Sequence, residues 1–495
     1  MKYFLGIDSG GTMLKAALFD TTGRQVALYR ENTQVLKDQA GWIERDLNVY
    51  WQEACSAITG LLKESGVCAD DIKGVSISAQ GKGLYLLDKQ GKELRNGIIS
   101  SDSRSIDIVK AWQKAGVPDK SYPITLQTLW TGHPVSILRW VKEFEPENYA
   151  NIGAILMSHD YLRYRLTGEA NAEITNISES NLYNAHTHEY DPALLELFEI
   201  PEISNALVPI VYPTDVAGYV TEKAAKDTGL TVGTPIFGGL FDVVSTAICS
   251  GIGCDDNILN YVMGTWSVTS GITAEVKAGS DKFVYGHHAI PGEYIVHEAS
   301  PTSASNYEWF APYLGEEGKL NHSQNEAEVA ALPPVSSELI FLPFLYGSNA
   351  GLGMKSSLYG LQAHHSKAQL IQAIWLGILN CHNVHLTKML KRFPDVTTLR
   401  ISGGSAQCLT WMQMLADLTG LTLEIPALEE TGTLGAAIMA MVGSGEYKDI
   451  QTALAAIPTE TTVVQPEPSR YDIYQNQYQR YLKLVSALQQ FEGIN

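Results

Sequence analysis

Two aspartates lie on glycine-containing turns, each directly after an apolar run that indicates a buried strand. Asp8 lies in Gly6-Ile7-Asp8-Ser9-Gly10-Gly11-Thr12, which is followed by Lys15, and Asp242 follows Gly238-Gly239. Glycines let backbone N–H groups approach an anion closely, and a carboxylate can take the proton of an attacking hydroxyl. The turns therefore indicate a phosphate site and a general base. An ordinary glycine hairpin in the first turn and a helix N-cap at Asp242 are the alternatives.

Two further glycine turns occur in the second half of the chain. Met263-Gly264-Thr265-Trp266 repeats the strand-Gly-Thr order of the first turn, and Gly403-Gly404, with Gln407 shortly after, separates a strand from a helix. Such turns are plentiful in α/β proteins, so each is weak evidence by itself. Together the four describe one cleft for a nucleotide and a phosphate acceptor. No Gly-Lys-Ser/Thr sequence and no Gly-x-Gly-x-x-Gly after a strand occurs, which excludes a Walker P-loop and leaves dinucleotide binding without support.

The hydrophobic pattern indicates which elements position these turns. Apolar runs predict strands, Asp46 is a good N-cap for a helix over Leu47–Lys63, and the same order of elements restarts near residue 257. The chain therefore reads as two similar α/β units with helices packed on mixed sheets. We expect domains at 1–250 and 251–495, with Leu434–Val442 a helix of the second. The predicted strands of the first unit are Tyr3–Asp8, Leu14–Phe19, Val26–Tyr29 and Ile72–Ile77.

Composition limits the partners. The 495 residues contain 35 Lys and Arg against 54 Asp and Glu, a net charge of −19, which disfavours nucleic acid. No apolar stretch is long enough to predict a membrane span, and no secretory signal is recognised. The six cysteines are scattered, so we expect reduced thiols and a cytoplasmic protein.

At this point the sequence resembles the FGGY carbohydrate kinases over nearly its whole length. Within that family it is most similar to the kinases of L-xylulose and 3-keto-L-gulonate. The resemblance implies two RNase H-like domains of the actin/hexokinase/Hsp70 type flanking a central cleft, ATP with Mg²⁺, and a small sugar substrate; it allows a homodimer. The segments that carry it are GIDSGGTMLKAALFD (6–20), ISAQGKG (77–83), SHDYLRYRLTGE (158–169), GGLFDVVSTA (238–247), VMGTW (262–266), FLPFLYGSNAG (341–351) and ISGGSAQCLTWMQMLADLTGL (401–421).

The resemblance also assigns roles by position. Asp242 matches the catalytic base and Asp8 the metal ligand. The nucleotide positions are Gly11, Thr12, Lys15, Gly264, Thr265, Gly403, Gly404 and Gln407. The sugar positions are Gln80, Lys82, Asp102, Arg104, His159 and Asp160.

Departures from the xylulose kinase pattern occur on the sugar side. Gln80-Gly81-Lys82-Gly83 replaces the common Gln-Met-His-Gly, and His159 replaces a lysine. We therefore doubt common D-xylulose specificity. A cation at Lys82 would favour a carboxylate-bearing sugar such as 3-keto-L-gulonate; the alternative is that Lys82 reaches solvent or caps a carbonyl. Another polyol or sugar acid, such as glycerol or gluconate, and an ATP-driven switch on the same fold remain rival functions.

Overall fold

The computed structural model describes the chain except residues 38, 254–256, 265, 278–280, 301, 349, 352, 429 and 495. The described residues divide into two compact units, of which unit 1 is interrupted twice along the sequence. Unit 1 comprises Met1–Gly251, Thr273–Val296 and Leu428–Pro458, and unit 2 comprises Ile252–Ile272, His297–Ala427 and Thr459–Asn495.

Regular elements of the described residues follow the pattern read from the sequence. The strands are β1 Tyr3–Ser9, β2 Met13–Asp20, β3 Gln25–Asn32, β4 Glu44–Arg45, β5 Ile72–Ala79, β6 Tyr85–Asp88, β7 Gly97–Ile98, β8 Ile152–Leu156, β9 Ala172–Glu173, β10 Tyr183–Asn184, β11 Glu189–Tyr190, β12 Ile210–Val211, β13 Val216–Tyr219, β14 Pro235–Phe237, β15 Leu240–Phe241, β16 Ile258–Met263, β17 Ser267–Thr273, β18 Val284–His287, β19 Tyr294–Ser300, β20 Ile340–Leu342, β21 Ser357–Tyr359, β22 Thr398–Ser402, β23 Thr422–Pro426 and β24 Thr461–Val464. The helices are α1 Leu47–Ser65, α2 Ile106–Lys114, α3 Val117–Thr125, α4 Pro134–Phe144, α5 Pro146–Ala150, α6 Ser158–Thr167, α7 Ile174–Ile177, α8 Pro192–Leu197, α9 Glu222–Thr228, α10 Asp242–Cys249, α11 Ser305–Glu308, α12 Ala311–Leu314, α13 His322–Ala330, α14 Lys367–Arg392, α15 Leu409–Thr419, α16 Thr431–Gly443, α17 Ile450–Ala455 and α18 Pro468–Phe491. None of the helices in the described ranges is long and apolar enough to cross a membrane.

Unit 1 is built on a mixed sheet of order β13-β14-β5-β1-β2-β3, with β15 also pairing with β5. β1 and β2 form an antiparallel hairpin that closes after the pair Ser9 and Leu14, and β5 lies parallel to β1 on the other side. α1 packs on β2 and β3. Its predicted N-cap is confirmed, because the Asp46 carboxylate accepts the N–H groups of Asn48 and Val49. This arrangement fixes the Asp8 turn at one end of the sheet.

Helix α16 packs in unit 1, although the sequence pattern placed it in the second half. It covers β1 and β5, and small residues allow the close approach. A Cβ atom at Gly432 would lie 2.3 Å from Cγ of Asp8, and one at Gly435 would lie 2.0 Å from Oγ of Ser245. Helical periodicity marks an apolar face but not the sheet that the face meets, which is why the sequence did not reveal this packing.

In unit 2 the strand order runs β17-β16-β22-β23-β24. β16 and β22 are parallel neighbours, and Val262 pairs with Ser402. Their carboxyl ends therefore lie side by side, and the turns after them, at Gly264 and at Gly403, become neighbours. A Cβ atom at Gly403 would lie only 2.5 Å from the carbonyl oxygen of Met263, and Gly403 has a φ of 98°, so this contact requires glycine.

Candidate active site

Asp242 is the first residue of α10, and Phe241 before it is the N-cap. The alternative that Asp242 caps this helix is therefore wrong. Asp242 is partly exposed as a residue, but its carboxyl is closely surrounded by protein. The pKa of Asp242 is raised to about 7, chiefly by burial and next by the negative charge of Asp8, while the Val243 N–H and the charge of Lys82 act in the opposite direction. An acid with a pKa near neutrality can take a proton at physiological pH, as a general base must.

Asp8 lies at the end of β1, opposite Lys15 in the hairpin. The pKa of Asp8 is raised to about 6; burial is the largest cause, the charge of Lys15 acts against it, and the charge of Glu430 adds to it. Lys15 Nζ lies 2.7 Å from Glu430 Oε2, and Arg30 Nη2 lies 2.6 Å from Glu430 Oε1. The predicted phosphate-binding lysine is thus held in an ion-pair network at the start of α16.

A buried arginine stabilises the turn that follows Asp8. Buried Arg45 donates from Nη2 to the carbonyl oxygens of Gly10 and Gly11, at 3.2 and 3.0 Å. A Cβ atom at Gly11 would lie 3.6 Å from Oε1 of Gln80, so Gln80 lies against the same turn. Thr12 is exposed at its tip. The hairpin therefore brings Gly11, Thr12 and Gln80 together, and Arg45 is a supporting residue that the sequence did not indicate.

Lys82 forms a buried ion pair. Its Nζ lies 2.6 Å from Oε2 of Glu179, and the two side chains are 10% and 0% exposed. The ammonium also lies 5.1 Å from the ring centroid of Phe241, the residue before Asp242. The alternative that Lys82 reaches solvent is wrong. Glu179 is a residue that sequence reasoning missed, because it lies 97 positions along the chain from Lys82.

Asp102 and Arg104 are paired with each other. The Asp102 carboxylate accepts Nε and Nη2 of Arg104 at 2.9 and 2.8 Å, and also the backbone N–H groups of Ile43 and Arg104. These four bonds fill the usual acceptor sites of a carboxylate. The guanidinium lies over the rings of Trp42 and Trp140, at 4.0 and 4.9 Å. In this structure Asp102 and Arg104, both predicted sugar ligands, stabilise the loop that carries them.

His159 and Asp160 are fully buried in the first turn of α6. Asp160 accepts Nη2 of Arg163 at 2.8 Å and the backbone N–H groups of Met157 and Glu173. His159 Nε2 lies 3.3 Å from Glu173 Oε2, and its Nδ1 lies 3.4 Å from Nδ2 of Asn176, whose Oδ1 accepts the N–H of Lys82. His159 is thus linked to Lys82 through one side chain, whereas Asp160 is engaged by the first turns of α6 and by the backbone of Glu173.

Unit 2 contains a cavity of about 590 Å³ at the ends of β16 and β22. This volume is typical of a small-molecule site. Gly264, Gly404 and Gln407 line it, and Gly403 lies directly beside it. The predicted partner Thr265 lies outside the described residues. The structure therefore gathers the remaining nucleotide positions of unit 2 around one cavity.

Aromatic side chains that the sequence reasoning missed line the same cavity. The rings of Trp375 and Trp411 are stacked, with centroids 5.1 Å apart and planes 12° apart, and Tyr307 meets both edge-on. All three are buried. Trp411 lies in the segment 401–421 that contains the Gly-Gly turn, but nothing in the sequence singled it out. Trp375 lies in the middle of α14, where a tryptophan signals only a packed helix.

Comparison with known proteins places these features in context. The model of the N-terminal domain of the FGGY family of carbohydrate kinases matches residues 3–249, and the model of its C-terminal domain matches residues 259–444. The chain is 53% identical to the probable L-xylulose kinase of Pasteurella multocida (strain Pm70), with 99% of both chains covered. It is 51% identical to the L-xylulose/3-keto-L-gulonate kinase of Escherichia coli (strain K12), covering 99% and 98%.

A solved structure has the same fold. The crystal structure of ligand-bound xylulose kinase from Lactobacillus acidophilus superposes with a TM-score of 0.90, covers 99% of this chain and 98% of its own, and is 22% identical. At that identity the likeness concerns the fold alone. The predicted two-unit α/β fold is thereby confirmed.

Proposed function

The chain belongs to the FGGY family of carbohydrate kinases, and we propose that the sugar it phosphorylates with ATP is L-xylulose or 3-keto-L-gulonate. Relatives at 51% and 53% identity carry these sugars in their names. The observation that carries the chemistry is the Asp242 carboxyl, whose pKa of about 7 suits a general base. Asp242 orients one sugar hydroxyl and takes its proton as the oxygen attacks the γ-phosphate.

The sugar lies on unit 1 in this proposal. Gln80 and Lys82 reach the acceptor from the segment after β5, and His159 supports Lys82 through Asn176. Asp102, Arg104 and Asp160 keep their predicted place near the sugar, but their charges are already paired. We therefore assign them the task of holding the sugar-side loops in place. Correct placement of reactants contributes much of the rate in such a transfer.

The nucleotide binds in the unit 2 cavity in this proposal. Gly264, Gly403 and Gly404 supply backbone without side chains, Gln407 lies exposed at the rim, and Trp411 forms part of the apolar lining. An adenine can lie flat in such a site. The Gly11–Thr12 turn and Lys15 of unit 1 keep their predicted phosphate-binding role in this proposal.

Asp8 is the residue that would hold Mg²⁺. The ion prefers oxygen ligands and keeps several waters, so one or two carboxylates together with phosphate oxygens suffice. The raised pKa of Asp8 means that a cation beside it would be favourable, and no group of three or more His, Cys, Asp or Glu suited to a metal occurs among the described residues. When bound, the ion would neutralise phosphate charge. We place the enzyme in the cytoplasm, where ATP is available. A homodimer remains a proposal that light scattering tests.

The test is a sugar panel in a coupled ADP assay with L-xylulose, 3-keto-L-gulonate, D-xylulose, glycerol and gluconate. We expect the first two to give the highest kcat/KM. Asp242→Asn should fold, bind ATP and lose at least about 100-fold in kcat. Asp472→Asn, at an exposed position of α18, is the matched control and should retain activity. Preference for another sugar would refute the substrate, and full turnover by Asp242→Asn would refute the base.

A further inference from the structure

Glu179, the counter-ion of Lys82, has no role in phosphoryl transfer as described above. Several other contacts fix the position of Lys82 in this ion pair. Lys82 has a φ of 64°, an uncommon conformation for a residue with a side chain, and its N–H donates to Asn176 Oδ1 at 2.8 Å. Strained residues of this kind persist where the surroundings determine them, often at functional sites. The protein thus fixes a lysine beside the catalytic aspartate and offsets its charge with a fully buried glutamate.

A neutral donor adjoins this pair. His133 is buried, and its Nδ1 accepts the N–H of Trp130 at 3.0 Å, so the ring proton resides on Nε2. Nε2 has no hydrogen-bond partner among the residues that the structure describes. Gly83, which follows Lys82, donates its N–H to the carbonyl of Gly132 at 3.0 Å and ties the two segments together. Burial and the charge of Lys82 lower the pKa of His133 to about 3, which keeps the ring neutral.

We propose that Glu179 and His133 determine which sugar the kinase prefers. Glu179 offsets the positive charge of Lys82, so that the pair presents hydrogen-bonding groups to an uncharged ketose and no net charge to a sugar carboxylate. The Nε2–H of His133 donates to a sugar oxygen beside them. The inference rests on the proposed function and addresses the choice between L-xylulose and 3-keto-L-gulonate.

The physical argument concerns net charge. A substrate carboxylate near Lys82 is attracted by the ammonium and repelled by the glutamate 2.6 Å from it, and the two effects largely cancel. If the glutamate loses its charge, an uncompensated buried cation remains, which a substrate anion can neutralise. Selectivity of this kind relies on disfavouring the wrong ligand as much as on binding the right one.

The experiment measures the ratio of kcat/KM for 3-keto-L-gulonate to that for L-xylulose. We expect Glu179→Gln to raise the ratio at least tenfold, Lys82→Gln to lower it, and the double variant to return it towards the wild-type value. Glu93→Gln is the matched control, because Glu93 pairs with Arg165 at 2.7 Å in the same unit; its ratio should not change. If Glu179→Gln does not fold, the ratios measured for Lys82→Gln and for the double variant still show whether the charges of this pair determine the sugar preference.

His133 is tested by two conservative variants. His133→Asn retains an acceptor near the position of Nδ1 but not the Nε2 donor, whereas His133→Gln can restore a donor near Nε2. We expect the KM for sugar to rise about tenfold in the Asn variant, with partial recovery in the Gln variant and little change in the KM for ATP.

The outcomes separate the two proposals. A wild-type enzyme inactive on both sugars refutes the proposed function. A wild-type enzyme that is active, with a ratio unchanged by Glu179→Gln and by Lys82→Gln, refutes the role of Glu179. An unchanged sugar KM in His133→Asn refutes the role of His133.

Discussion

Replacing Asp242 with asparagine is expected to stabilise the free protein while it abolishes turnover. The folded-state pKa of this carboxyl is raised from 3.8 to about 7. A raised pKa means that the ionised form is disfavoured in the folded state, so stability is lost as the pH rises from 3.8 towards 7 and the loss levels off above it. Asparagine carries no charge at any of these pH values and escapes this loss.

The size of the effect follows from the shift. Each pKa unit corresponds to about 1.4 kcal/mol, so a shift of about three units corresponds to at most about 4 kcal/mol. Because Asp242 is partly exposed as a residue, water screens some of this effect, and we expect about 2 to 3 kcal/mol at pH 8. Below about pH 3 the carboxyl is largely protonated in both the folded and the unfolded state, so the two proteins should have nearly equal stability there.

Denaturant unfolding of the wild type, Asp242→Asn and the exposed control Asp472→Asn, at several pH values between about 5 and 8.5, measures this difference. The diagnostic quantity is the slope against pH. The free energy of unfolding of Asp242→Asn minus that of the wild type should grow by about 1 kcal/mol between pH 5.5 and 8. Parallel curves for the two proteins would refute the claim that burial holds the pKa of Asp242 near neutrality.

Four other substitutions have defined outcomes. The wild-type kcat/KM should fall below a pH of about 7 as Asp242 becomes protonated. Because the charge of Asp8 raises the pKa of Asp242, the residual activity of Asp8→Asn should fall only at a lower pH. An unchanged acidic side of the pH profile would contradict this electrostatic coupling of the two carboxyls. A Cβ atom at Gly404 meets no atom within 4 Å, so Gly404→Ala should fold normally and raise the KM for ATP. Gly403 has a positive φ, so Gly403→Ala should lower the thermal midpoint. Equal effects of the two substitutions on stability would argue against the positive φ and close packing of Gly403. Gly432→Ala places a methyl group 2.3 Å from the Asp8 carboxyl carbon and should cost about 1–3 kcal/mol of stability as well as activity; wild-type behaviour in thermal unfolding and turnover would show that α16 does not press on Asp8.

The sequence predicted the regular elements well where the pattern is local. Apolar runs and the Asp46 cap marked β1, β2, β5 and α1 nearly to their ends. The sequence could also place the Gly-Thr and Gly-Gly turns of unit 2 at one site, because the carboxyl ends of parallel strands lie at the same edge of a sheet. Periodicity and turn chemistry therefore sufficed for the frame of the site.

The features that the sequence could not predict depend on contacts between residues far apart along the chain. The pKa of Asp242 depends on desolvation by many neighbours, and the partner of Lys82 is a glutamate 97 positions away, which no local rule selects. The stacked Trp375 and Trp411 come from different helices. Such contacts arise only when elements meet, so the charge balance and the aromatic lining were visible in the structure alone.

The placement of α16 also has a consequence for synthesis of the protein. The helix that covers β1 and β5 leaves the ribosome roughly 200 residues after the first segment of unit 1 ends at Gly251. At about 5–20 residues per second, the uncovered apolar face of that sheet would be exposed for roughly 10 to 40 seconds. The nascent chain therefore needs protection for that interval. Expression of residues 1–251 alone would leave the face permanently uncovered and prone to aggregation.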